Sequence, residues 1–259
     1  MFAAAGNFVD EKLLTGELGF TKAELKAEAS ERAMALYDLE YEKETMTIIQ
    51  STYLMSYHLG GINADRGPWY WIGIAINLAY GAGLHRLSPC ELQTCPTCHS
   101  RQWAQLWWSI YCREAWLSLA YNRPMRIQLD EVSTTVPTQV EVASICIDIF
   151  DERYHKYLPR EIDDLVSMWL YLVRISLTLG DILSKLYASE SSRPTQQPIN
   201  YTEDDVGAHL CELSDESLGS ELIKVHLYQL RLYRETTVIA LYHPHVQGLQ
   251  DYQSEEHQS

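Results

Sequence analysis

Positive charge is what this sequence has least of. Its 20 Lys and Arg stand against 35 Asp and Glu, a formal net charge of −15 over 259 residues. No basic run interrupts that balance. Non-specific DNA binding works by exchanging phosphate counterions for Lys and Arg, so a stand-alone DNA binder is excluded. An acidic surface of this kind suits a chain that meets small molecules or other proteins. Long apolar runs are also missing. The longest, residues 69–84, is broken by Asn77 and three glycines and falls short of a bilayer crossing. The first residues carry no basic leader, and Asp10 comes early, which makes a poor signal peptide. The expectation is an intracellular chain with reduced cysteines and no membrane partner.

Catalytic signatures are absent as well. There is no glycine-rich phosphate loop and no serine nucleophile elbow. Asp163-Asp164 opens a helical pattern, but Ser167 stands where a third acid would complete a magnesium cluster. Two acids in a first helical turn are also what the helix dipole favours. His243-Pro-His245 lacks the i, i+4 spacing of a zinc hydrolase. The expectation is no enzyme, no catalytic residue and no cofactor.

What the chain does have is apolar residues at helical spacing. A hydrophobic fraction of 46% and seven tryptophans indicate a folded globule. The periodicity predicts helices over 1–14, 22–42, 45–59, 68–82, 100–121, 161–188 and 219–243, and clear strand alternation is hard to find. Thr45 is expected to cap the third of these. Pro68 suits a first turn, Gly60-Gly61 and Gly83 suit left-handed helix ends, and Pro124 stops the helix before it. Residues 189–203 read as a polar linker and 247–259 as a frayed tail. The expected fold is all-α, a single multi-helix domain over 1–246.

Three constellations draw attention. Cys90, Cys95 and Cys98 lie within nine residues, flanked by His85 and His99. Cys95-Pro-Thr-Cys98 is one correct zinc knuckle, but no second knuckle exists. A lone structural zinc on Cys90, Cys95, Cys98 and His99 or His85, and a plain loop without metal, both fit; the plain loop is preferred. Cys112 reads as a small core residue. Next come two aromatic helices. Trp69, Ile72, Ile76 and Ala79 form one stripe, and Trp103, Trp107, Trp108, Tyr111 and Trp116 crowd the second helix. Trp107 and Trp108 point about 100° apart, so one can face inward while the other meets a second helix or a ligand. Aromatics at this spacing are usually core, and the alternative is a pocket wall. Last, Arg123 and Arg126 follow a helix end with Asp130 and Glu131 next. A local Arg–Asp staple is preferred there over anion capture.

These quoted runs resemble the fungal-specific transcription factor domain, the middle homology region of fungal zinc-cluster regulators. "DRGPWYWIGIAINLAYGAGLHR" is similar to its aromatic-Gly-Ala…Gly-Leu-His-Arg helix. "LWWSIYCREAWLSLAYNRPMRI" resembles its Leu-Trp-Trp helix, acidic position (Glu114) and Gly-Arg-Pro turn, with Asn122 replacing the glycine. Asn tolerates the left-handed conformation, so that turn can survive. "LYHPHV" is similar to a segment near the region's end, and "MFAAAGNFVDEKLL" to its first helix. The resemblance implies an all-α regulatory domain without enzymatic activity, nuclear or otherwise cytoplasmic. The family's zinc cluster is not in this chain, so DNA would be reached indirectly. The implied partners are other transcription regulators or a second copy, with a small-molecule effector. An alternative is a stand-alone helical protein that inhibits or heterodimerises with full-length relatives. Trp71, His85, Trp107, Trp108, Tyr111 and Arg126 are the candidate ligand or partner residues.

Overall fold

The computed structural model describes residues 9–57, 66–87, 99–148, 158–186 and 220–256. All regular structure among them is helical, as the periodicity predicts. The chain divides into two compact units. The first comprises residues 1–95 with 127–135, the second 96–126 with 136–259. The Cys90–Cys98 loop, Gly60-Gly61 and the 189–203 segment lie outside the described residues.

The first unit opens with a short turn, Glu11–Leu13, capped by Asp10 and continued by a π-helical turn, Leu14–Leu18. Helix α1, Lys22–Asp38, starts at a reciprocal capping box, in which Thr21 and Glu24 each satisfy the other's backbone N–H. Helix α2 is Thr45–Met55. Its cap is not Thr45 but Glu44, whose carboxylate accepts from the Met46 and Thr47 N–H groups. A carboxylate reaches two amides and also gains from the dipole, which a hydroxyl does not. Helix α3, Pro68–Gly81, carries Pro68 in its first turn as expected. Its buried stripe is Trp71, Ile72, Ala75, Ile76 and Ala79. Trp71 anchors that stripe, and Trp69 is only half-buried.

Gly83 follows with φ 76° and leads into a 3₁₀ turn, Leu84–Arg86. The returning segment 127–135 clips onto this turn. Thr134 Oγ1 donates to the Leu84 carbonyl at 2.6 Å and accepts from the Leu87 N–H at 2.9 Å. The Ser133 and Thr134 N–H groups both donate to the His85 carbonyl.

The second unit is built on helices α4 (His99–Tyr121), α5 (Gln139–Asp148), α6 (Ile162–Leu186) and α7 (Glu221–Glu256). Helix α5 falls where the periodicity gives no helix. It is capped by Thr138 and Glu141 in a second reciprocal box. Helix α7 does not end at residue 243 but runs through Pro244 to Glu256. Helix α6 is central: α4, α5 and α7 all pack on it. By length and composition it could cross a bilayer, but half of its apolar window is buried here, as in a core helix. Met168, Tyr171 and Ile175 of α6 close a cluster with Ile223, Leu227 and Leu230 of α7. Cys112 is in the core, as expected, and burial pushes its thiol up to about 12. So high a value leaves almost no thiolate to react.

Candidate functional site

The candidate residues divide between the units. Trp71 and His85 belong to the first, and Trp107, Trp108, Tyr111 and Arg126 to the second.

In the second unit Trp107, Trp108 and Tyr111 of α4 are core, Trp103 and Trp116 are half-buried, and Tyr121 is exposed. Trp107 and Tyr111 have no exposed surface and Trp108 very little, so neither tryptophan of the pair faces outward. Trp108 and Tyr111 meet edge to face at 5.6 Å. Trp116 donates its indole N–H to Ser176 Oγ at 3.0 Å and lies against the Tyr233 ring. The closest approach is at Gly180 of α6. A Cβ there would stand 2.1 Å from Tyr111 Oη. Glycine is required at 180 because the Tyr111 side chain occupies the space where any other side chain would begin.

Arg126 is not stapled by Asp130 or Glu131. Its partner is Glu114, twelve residues earlier on α4 and completely buried. Arg126 Nε donates to Glu114 Oε1 at 2.9 Å and Nη2 to Oε2 at 2.6 Å, a bidentate fork. The Arg126 backbone N–H donates to Oε1 as well, at 2.9 Å. Asn122, at φ 51°, makes this possible by reversing the chain just past the helix end. The Arg123 N–H donates to the Ser118 carbonyl in the same turn. A buried carboxylate tolerates burial only when paired and hydrogen-bonded, and three donors meet that condition here. This arrangement uses Nε and Nη2 of Arg126 to neutralise an internal charge.

In the first unit His85 sits in the 3₁₀ turn with its ring against Tyr80, centroids 4.6 Å apart. Burial, and then the charge of Arg86, lowers its pKa from the usual histidine range. Trp71 is different in kind. Tyr37 of α1 and Tyr70 of α3 meet it edge to face at 5.2 and 5.0 Å. It also forms part of the wall of a cleft of about 1210 Å³ between α1, α2 and α3. The walls are mostly apolar and include Leu25, Ala33, Leu36, Tyr37, Ile48 and Leu54, with a charged rim that includes Lys26, Glu28 and Asp38. Asp38 accepts twice from Arg66 Nη1 at 2.8 Å, which ties the end of α1 to the start of α3. Sites for small molecules have this character, an apolar concavity with few polar groups, usually of about 300–1,000 Å³.

Of the six candidates, only Trp71 lines this cleft. Its α1 wall, with Tyr37 and Ala33, was not singled out from the sequence. A signal was present: the Leu25, Ala29, Ala33, Leu36 spacing gives α1 an apolar stripe among its charges. Among the described residues no cluster of three or more His, Cys, Asp or Glu side chains could hold a metal. Asp163 and Asp164 occupy the first turn of α6, where the dipole accounts for them.

Comparison with known proteins gives the frame for these features. The fungal specific transcription factor domain model matches residues 1–221. Cutinase transcription factor 1 alpha of Fusarium vanettenii is 27% identical over 83% of this chain, which covers 23% of that protein. A transcription factor of Fusarium pseudograminearum is 36% identical over 74% of the chain and 22% of its own length. The acetamidase regulatory protein of Aspergillus fumigatus is 32% identical over 41% of the chain and 14% of its own length. The chain therefore spans less than a quarter of these curated relatives. No solved structure matches it. With the Trp-Trp helix, the Asn122 turn and the Leu-His-Arg turn all in place, the chain belongs to the fungal-specific transcription factor domain family.

Proposed function

We propose that this chain is the effector-responding part of a fungal transcription regulator. It changes transcription when a small molecule or a partner segment occupies the cleft between α1, α2 and α3. The observation that carries the reading is the cleft itself, an apolar concavity of about 1210 Å³ with Trp71 and Tyr37 in its wall. An occupant that fits one position of α1 better than another shifts the population toward that position. The chain is not an enzyme in this reading, holds no cofactor, and acts in the nucleus. A net charge of −15 supports DNA contact through basic residues outside these 259 rather than through this segment.

Fusing the chain to an unrelated DNA-binding module upstream of a reporter tests this. The fusion should alter transcription in a condition-dependent way. Ala33→Trp, which fills the cleft from α1, should lock the output in one state while the protein stays folded. A fusion with no transcriptional effect under any condition would count against the regulatory role. A response that survives the filled cleft would count against the cleft. The same acidic balance supports a second reading, in which the free chain titrates full-length relatives. Overexpression that lowers the output of such a relative favours it, and raised output excludes it.

A further inference from the structure

Helix α7 is apolar on two opposite faces. One face, with Ile223, Leu227, Leu230, Thr237, Ala240 and Leu241, is buried in the second unit. The other carries Val225, Tyr228, Leu232, Ile239 and Tyr242, each between 44% and 68% exposed. Surface helices normally oppose one apolar face with a polar one. The open stripe also has a definite period. Val225, Leu232 and Ile239 recur every seven residues, and Tyr228, Glu235 and Tyr242 follow each by three. This is the a and d pattern of a helix that packs along another helix. The stripe amounts to on the order of 500 Å² of apolar surface, near the upper end of what monomers leave exposed. Doubled across a two-fold axis it reaches about 1,000 Å², the least that a specific interface is expected to bury.

We propose that a second copy of this chain docks on this face, α7 against α7 in antiparallel orientation. Charge selects the direction. In a parallel pair Glu235 would meet Glu235 of the other copy across the seam, and like charges there repel. The antiparallel register places Val225 against Tyr242, Tyr228 against Ile239, and Glu235 against Leu232. It also brings Glu235 beside the other copy's Arg231, which lies one residue before Leu232 on the same flank. Within one copy Arg231 stands near the Tyr228 ring, with 5.9 Å to its centroid, and Glu235 is half-exposed beside Arg234. The base of the proposed cross-pair therefore flanks the apolar stripe, and the acid interrupts it. A two-fold axis between Leu232 and Glu235 repeats the pair on either side, giving the self-complementary surface that a symmetric dimer requires. This inference does not depend on the effector cleft, which lies in the other unit.

Sedimentation equilibrium of the full chain over a range of concentrations tests it. The chain should be dimeric at micromolar concentration. The double variant Leu232→Lys, Ile239→Lys should weaken dimerisation at least about tenfold while helicity and melting temperature hold. Glu235→Arg, a surface change that leaves packing alone, should also weaken the dimer, and adding Arg231→Glu should restore it. A wild-type chain that stays monomeric overturns the proposal, even if it captures a helix of a different regulator. A dimer unaffected by the lysine variant overturns it too. Failure of the paired charge swap to restore the dimer overturns the antiparallel arrangement.

Discussion

Helices α1 and α6 are both long, yet they are held in place by different forces. Helix α6 buries Val166, Met168, Tyr171, Val173, Ile175, Leu179, Ile182 and Leu183, and three other helices pack on it. Helix α1 has 17 residues, and of these only Ser30 is buried. Its order comes from its own capping box, the Tyr37–Trp71 ring contact and the exposed Asp38–Arg66 pair. Buried apolar area adds roughly 25 cal/mol per Å². Exposed ion pairs add about 0–1 kcal/mol, and a cap about 1 kcal/mol. The second unit is therefore a packed scaffold, and the first holds a helix that can leave or adjust at low cost. A wall of that kind suits the proposed opening of the cleft for an occupant.

The contrast can be broken hardest at Glu114. Glu114→Ala leaves the Arg126 guanidinium and backbone N–H without their acceptor. It should cost about 3 kcal/mol, the low end for breaking a buried pair, because Arg126 keeps some contact with water. Chemical denaturation followed by tryptophan fluorescence would register the loss. Gly180→Ala should come next. Overpacking costs about 1–3 kcal/mol and opposes the roughly 1 kcal/mol that alanine gains over glycine in a helix. Thermal melting should show net destabilisation, and adding Tyr111→Phe should recover part of it.

Changes in the first unit should be smaller and local. Thr21→Ala removes the capping box and about 1 kcal/mol of α1 stability, visible as faster amide exchange in α1 and nowhere in α6. His85 has the smallest expected effect. Its folded pKa lies below its unfolded value, so the unfolded chain binds the proton more readily. Its contribution is present above the unfolded pKa, near 6.5, and is lost as pH falls through and below it. His85→Gln should flatten the fall in melting temperature just below pH 6.5. An unchanged profile would show that His85 does not contribute to the pH dependence of stability.

Much of the fold was legible where one residue decides one conformation. Pro68 in a first turn, Gly83 and Asn122 in left-handed positions, and the buried Trp107 and Tyr111 all follow from local sterics and spacing. Helix α5 was not legible because Val140, Val142, Ile145 and Ile147 are β-branched and dilute a helical pattern in ten residues. The Thr138…Glu141 spacing was the signal that marked it. The continuation of α7 was hidden by Pro244, which costs a helix a hydrogen bond but does not always end it. The Arg126–Glu114 pair was not legible because only the folded turn at Asn122 returns Arg126 to α4. The cleft was least legible of all. Trp71 reads equally well as core or wall, and only the placement of α1 distinguishes the two.

Native-state hydrogen exchange of the full chain tests the contrast most directly. Amides in the middle of α1 should exchange through local opening, orders of magnitude faster than those of α4 and α6, whose slowest amides should follow global unfolding. Protection of α1 equal to that of α6 would contradict it, because the cleft would then have no movable wall.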